Sequence, residues 1–153
     1  MARVLVVDDD SLVRRLIERV LRDADHDVRG ARHGAEALAL AVEVLPDVVV
    51  TDFNMPHMNG AELLEALRKQ FGDAAPPAVL VSGTLDLVLP SQKRDFAALL
   101  DKPFTPRELL EAVATCVVGP DRAARRRRSG TRLKAATDEI LGVPVQKTGD
   151  SDD

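Results

Sequence analysis

Four short polar groups hold the chemistry that this sequence offers: Asp8-Asp9-Asp10, Thr51-Asp52, Ser82-Gly83-Thr84 and Asp101-Lys102-Pro103. Each follows an apolar run that reads as a β-strand. If the strand ends meet, three acids, a hydroxyl and an ammonium share one cleft. Clustered carboxylates repel one another, and a hard divalent cation relieves that repulsion. Mg2+ suits two or three carboxylates completed by water. Lys102 supplies a mobile point charge that can reach a carboxylate or a phosphoryl oxygen. The Ser82 hydroxyl can donate a hydrogen bond to the same oxygen, and Gly83 keeps the backbone open beside it. A carboxylate in such surroundings can attack phosphorus and form an aspartyl phosphate, with the cation and Lys102 offsetting charge on the transferring group. Asp52 is the candidate. It ends the run DVVVT and opens the loop FNMPHMNG, where Pro56 and Gly60 set the turn and Asn54 lies near enough to touch the site with its backbone or side chain.

The elements around these groups alternate. RVLVV (3–7) is a β-branched strand, and from Ser11 onward Leu12, Val13, Leu16, Ile17, Val20 and Leu21 recur at helical spacing. Asp10 or Ser11 can cap that helix, and capping alone is the bland explanation of the three aspartates. DVRGA (27–31) is a weaker strand, too polar for the middle of a sheet. GAEALALAVEVL (34–45) is helical up to Pro46, DVVVT (47–51) is a strand apolar on both faces, and AELLEALRKQF (61–71) is helical. AVLVS (78–82) and AALL (97–100) are strands, and the last helix (105–118) starts with Thr105 as its cap and Pro106 in its first position. Residues 83–96 crowd four apolar side chains without helical spacing and carry Pro90, so a short or irregular helix is expected there. Alternating strands and helices imply an α/β fold with a parallel sheet covered on both faces. Right-handed crossovers and the length favour a doubly wound sheet of five strands, order 2-1-3-4-5. In that order the strands carrying the four polar groups are adjacent, and their carboxyl ends form the edge where such sheets bind ligands.

Composition agrees with one folded domain and an appendage. About 45% of the 153 residues are hydrophobic but only 3% are aromatic, so aliphatic side chains must fill the core. No apolar run approaches the ~20 residues of a membrane span, and the start MARVLVVDDD turns acidic too soon for a signal peptide. The single Cys116 rules out an internal disulfide and falls in an apolar helical pattern, as a core residue would. A cytoplasmic location is expected. Residues 1–118 carry 13 Lys+Arg against 19 Asp+Glu, a net of −6, and residues 119–153 carry 8 against 6, a net of +2, which together give the overall −4. His26, His33 and His57 lie in or near expected loops with no Cys or paired His beside them, and read as solvated. Met55 and Met58 read as anchors of the loop on the sheet edge.

The pieces VLVVDDD, VVTDFNMPHMNG, VLVSG and LLDKPF, in this order and spacing, make residues 2–118 resemble the receiver domain of two-component response regulators, in its single-domain, chemotaxis-regulator-like form with a flavodoxin-like sheet. The resemblance implies that Asp52 accepts a phosphoryl group from a phosphohistidine on a sensor histidine kinase or phosphotransfer protein. It implies Asp9 as a direct Mg2+ ligand, Asp8 as a direct or water-mediated one, and the Asn54 backbone carbonyl as the last protein ligand. Ser82 would move toward the phosphoryl oxygen, Lys102 would pair with it across a cis Lys102-Pro103 bond, and Asn54 and Thr84 would tune hydrolysis. The output surface would comprise the fourth helix, fifth strand and fifth helix. On that face the family's usual aromatic switch residue is replaced by Leu99, and the segment from Ser82 to Lys102 is short. Both departures lie away from the chemistry.

Two other functions stay open on the sequence. The D-x-D within Asp8-Asp9-Asp10 also opens haloacid-dehalogenase-type phosphatases, whose first Asp is the nucleophile; those enzymes need a further acidic motif where this chain has TPRELLEAV. The second concerns residues 119–153, which are too short for a helix-turn-helix output domain and hold the run Arg125 to Arg128. They read as a solvated, partly disordered extension. A receiver controlling nucleic-acid or other anion binding through this basic tail is the lesser alternative. Such binding would be salt-sensitive and sequence-blind, and no aromatic residue interleaves the arginines to stack on bases.

Overall fold

The computed structural model describes residues 1–117; the basic tail expected at 119–153 lies outside them. Five parallel strands form one sheet: β1 (Arg3–Val7), β2 (Asp27–Ala31), β3 (Val48–Asp52), β4 (Ala78–Ser82) and β5 (Ala98–Asp101), in the order β2-β1-β3-β4-β5. The helices are α1 (Ser11–Asp23), α2 (Gly34–Glu43), α3 (Gly60–Phe71), α4 (Pro90–Lys93) and α5 (Pro106–Val117). Between β4 and α4 lies a single 3-10 turn, Leu85–Leu87. The expected irregular fourth helix is therefore one turn long, starting at Pro90 where the ring's fixed φ suits a first helical position.

Alternate residues of each central strand enter different cores. Val4 and Val6 of β1, with Val50 of β3 and Val79 of β4, pack under α1 and α5 against Ile17 and Leu109. Leu5 and Val7, with Val49 and Leu80, pack on the opposite face against Leu63 and Leu67 of α3. Both faces are dry, which is why these strands read as continuous apolar runs. β2 sits at an edge and alternates, with Asp27 and Arg29 exposed and Val28 and Ala31 buried.

Small boundary shifts have local causes. Val44 is already extended, so α2 stops at Glu43 ahead of Pro46. On α1, Leu12 and Leu16 are 74% and 54% exposed although they share the helical spacing of the stripe. The buried face is set by Ile17 and Leu21, with Val13 and Val20 packed beside them. The reading of the histidines as solvated holds for His57 but needs correction for two others. The Glu36 N–H donates to His33 Nδ1 (3.2 Å), so His33 caps α2. The Ala2 N–H donates to His26 Nδ1 (3.0 Å).

That contact requires neutral His26, and burial, as the largest cause, holds its pKa below 6.5. A base depressed by folding contributes stability above its unfolded pKa and loses it as pH falls through that value. The melting temperature is thus expected to fall as pH drops from about 7 to about 5.5. His26→Leu should flatten that part of the slope; identical slopes in wild type and variant would show that His26 makes no such contribution.

Candidate functional site

The carboxyl ends of β1, β3, β4 and β5 bring the four polar groups together. Asp8 follows β1 and is 1% exposed. Its Oδ1 accepts the Asp10 N–H (2.9 Å), and its Oδ2 lies 3.5 Å from Lys102 Nζ. Asp52 is the last residue of β3, and its Oδ1 is 3.5 Å from the same Lys102 Nζ and accepts the Phe53 N–H (2.9 Å). Asp9 is exposed beside them, and one carboxylate oxygen from each of Asp8, Asp9 and Asp52 lies within 4.8 Å of the others. Asp10 stands apart: its carboxylate caps α1, accepting from Leu12 N–H (3.0 Å) and Val13 N–H (3.3 Å). One aspartate therefore caps the helix and two are left for the cleft, so capping explains only part of the acidic run.

Burial pushes the carboxyl of Asp8 above the ordinary carboxylate pKa, and burial does the same to Asp52; in both, the Lys102 ammonium pulls the other way. Three hard oxygen donors, two of them carrying charge that the interior resists, make a donor set that fits a divalent cation. The same geometry argues against Asp8 as a nucleophile. Both its oxygens are engaged and its side chain is 1% exposed, whereas that of Asp52 is 13% exposed and opens on the loop.

The other predicted residues sit around Asp52. Ser82 ends β4, and its Oγ accepts the Thr84 N–H (3.0 Å) and lies 3.1 Å from Thr84 Oγ1. Asn54 Nδ2 donates to Thr84 Oγ1 (3.3 Å), so these three side chains form a row beside the acids. The Lys102 N–H donates to the Ser82 carbonyl (3.0 Å), and the Lys102-Pro103 peptide is cis. Leu99 of β5 is 41% exposed, and Leu87 and Leu89 are exposed as well.

Three features of the site were missed in the sequence. The turn after Asp52 is framed by Pro56 and Gly60 as expected, but its left-handed residue is His57, at φ 70°, closed by the Met58 N–H donating to the Pro56 carbonyl (2.7 Å). Asn59 and Glu62 form a reciprocal capping box on α3, visible as N-x-x-E. Gly60 meets the strand end closely: its N–H donates to the Phe53 carbonyl (2.8 Å), and a Cβ there would lie 2.7 Å from the Asp52 carbonyl oxygen. Met55 and Met58 do pack on the core under the α2–α3 face, as anchors should.

The sheet order and the match of residues 4–114 to the response regulator receiver domain settle the class: this chain belongs to that family of two-component signalling domains. Among its relatives is a chemotaxis protein CheY homolog of Campylobacter jejuni, 39% identical over 113 residues, covering 71% of this chain and 87% of the relative. Another is the transcriptional regulatory protein PrrA of Mycobacterium leprae, 35% identical over 144 residues, which are 94% of this chain and 58% of PrrA. The chain thus spans little more than half the length of that relative. Response regulator protein TrrA of Thermotoga maritima, solved in complex with Mg2+-BeF, has a similar fold with TM-score 0.69 and 28% identity, covering 76% of this chain and 99% of TrrA. Among the described residues no helix is long and apolar enough to cross a membrane.

Proposed function

We propose that this chain is a phosphorylation-operated switch whose acceptor is Asp52. The observation that carries the reading is the meeting of Asp8, Asp9 and Asp52 within 4.8 Å, with Lys102 Nζ 3.5 Å from both Asp8 and Asp52. Asp8, Asp9, Asp52 and the backbone carbonyl of Asn54 would hold Mg2+, and the complex of TrrA with Mg2+-BeF supports that choice of ion. Bound there, the cation neutralises charge on the phosphoryl oxygens. The donor is a phosphohistidine of a sensor histidine kinase or phosphotransfer protein. An Asp52 carboxylate oxygen attacks phosphorus, the P–N bond breaks, and the imidazole leaves with its electron pair and takes a proton. Lys102 exchanges its contact with Asp52 for one with the phosphoryl group. Ser82 leaves Thr84 to donate to a phosphoryl oxygen, and Asn54 and Thr84 then border the path of a hydrolysing water. Because the Ser82 and Lys102 loops change partners, the two states differ in the surface they offer, and output passes through protein contacts.

The receiver unit is residues 1–118, acting in the cytoplasm, with 119–153 as a separate appendage. The test is incubation with Mg2+ and phosphoramidate. One phosphoryl group is expected on wild type, labile to hydroxylamine as an acyl phosphate is, and none on Asp52→Asn. A gain that survives Asp52→Asn would place the acceptor elsewhere.

A further inference from the structure

We infer that Arg14 is a positioning residue that sets Asp8 for the divalent cation, and that the bare backbone at Gly30 is what makes room for it. The inference rests on the reading of Asp8 as a metal ligand. The β1–β2 ladder makes one bond beyond Val7, from the Asp8 N–H to the Ala31 carbonyl (3.1 Å). There β2 turns away, and the Arg32 N–H goes to the Glu36 carboxylate (2.8 Å). The Asp8 carbonyl lies past the end of the sheet, and the Arg14 guanidinium donates to it at 2.8 Å.

Arg14 is held in that pose from behind. Its Nε is 3.7 Å from Glu18 Oε2, and both side chains are only 14% exposed. The other oxygen of Glu18 lies 3.5 Å from Arg22, which donates in turn to the Val28 carbonyl of β2 (3.1 Å). A row of alternating charge therefore runs along the edge strand, from the Val28 carbonyl to the Asp8 carbonyl. Gly30 is its floor. A Cβ there would collide with Glu18 Oε2, and would stand 3.0 Å from Glu18 Cδ and 3.3 Å from Arg14 Cδ. A methyl at position 30 would push the Glu18 carboxylate off β2 and so disturb the contact that holds Arg14.

The direction of the Asp8 carbonyl fixes ψ of Asp8, and with it the start of the loop that carries Asp9. The Asp8 carboxylate is pinned from the other side by the Asp10 N–H. Groups that orient a metal ligand without touching the metal affect its affinity strongly. Gly30, two side chains removed from the cleft, thereby acquires a role in metal binding.

The experiment is titration of Mg2+ into the full chain at neutral pH, read as binding heat, with the melting temperature in a chelator measured beside it. Arg14→Ala and Gly30→Ala are each expected to weaken Mg2+ affinity about tenfold. The double variant should be no weaker than Arg14→Ala alone, because both act through one contact. Variants that lose melting temperature but bind Mg2+ like wild type would make the row merely structural and overturn the inference; so would an additive double variant. Absence of Mg2+ uptake by wild type is a different failure, that of the metal reading itself.

Discussion

Asp8→Asn is expected to melt at a higher temperature than wild type when Mg2+ is withheld at neutral pH, and to lose both Mg2+ uptake and phosphorylation. Asp8 and Asp52 are acids whose pKa values are raised in the fold, with burial the largest cause. The folded protein then binds more protons than the unfolded chain in the interval above the ordinary carboxylate pKa. Their contribution to stability is full below the unfolded value and is lost as pH rises through the raised folded value. This is the reverse of an aspartate whose pKa an ion pair holds down: burial outweighs Lys102, and the metal-free site is under stress at neutral pH. A neutral amide at position 8 removes one charge while keeping an acceptor for the Asp10 N–H. The expected gain is about 3–6 °C in melting temperature, the size of roughly 1 kcal/mol in a domain of this length. In wild type, Mg2+ should give a comparable gain by mass action; in Asp8→Asn it should give none. A variant that melts lower in chelator than wild type would mean that Lys102 already neutralises the cleft.

Gly60→Ala is expected to destabilise the protein by about 1–3 kcal/mol and to slow phosphoryl uptake about tenfold. Propensity alone forecasts the opposite, since alanine outranks glycine in a helix. Space decides the sign. The added methyl would sit 2.7 Å from the Asp52 carbonyl oxygen and 3.3 Å from Phe53 Cα. Both are backbone atoms at the end of a central strand, and neither has a rotamer to yield. Either α3 lifts off β3 or Asp52 moves, and the second shifts the acceptor carboxylate against Asp8 and Lys102. Chemical denaturation and the rate of phosphoryl uptake measure the two effects separately. A rise in stability would show that the loop accommodates the methyl freely.

The fold was legible because the central strands are apolar on both faces. Val4 to Val7 and Val48 to Val50 leave few alternatives to a covered parallel sheet, and the sheet order then places Asp8, Asp52, Ser82 and Lys102 on one edge. What stayed hidden depends on contacts between distant positions. Nothing near Gly30 announces that Glu18 and Arg14 will lie over it, because the pairing exists only once α1 lies on β2. His57 adopts a left-handed turn; histidine is among the residues enriched there, but that preference is too weak to single out this position in the loop. The exposure of Leu12 and Leu16 depends on how α1 is rolled on the sheet, and spacing fixes a stripe but not its roll.

The two halves of the cleft are fastened by bonds of different kinds. Asn54, Thr84 and Ser82 are joined by uncharged amide and hydroxyl groups, at 3.3 and 3.1 Å, whereas Asp8 and Asp52 are joined through the ammonium of Lys102. Dissolved electrolyte weakens the ionic fastening to the extent that Lys102 meets water, and leaves the neutral one untouched. Raising ionic strength should therefore loosen the β5 side of the cleft first, while the β4 loop keeps its resting shape.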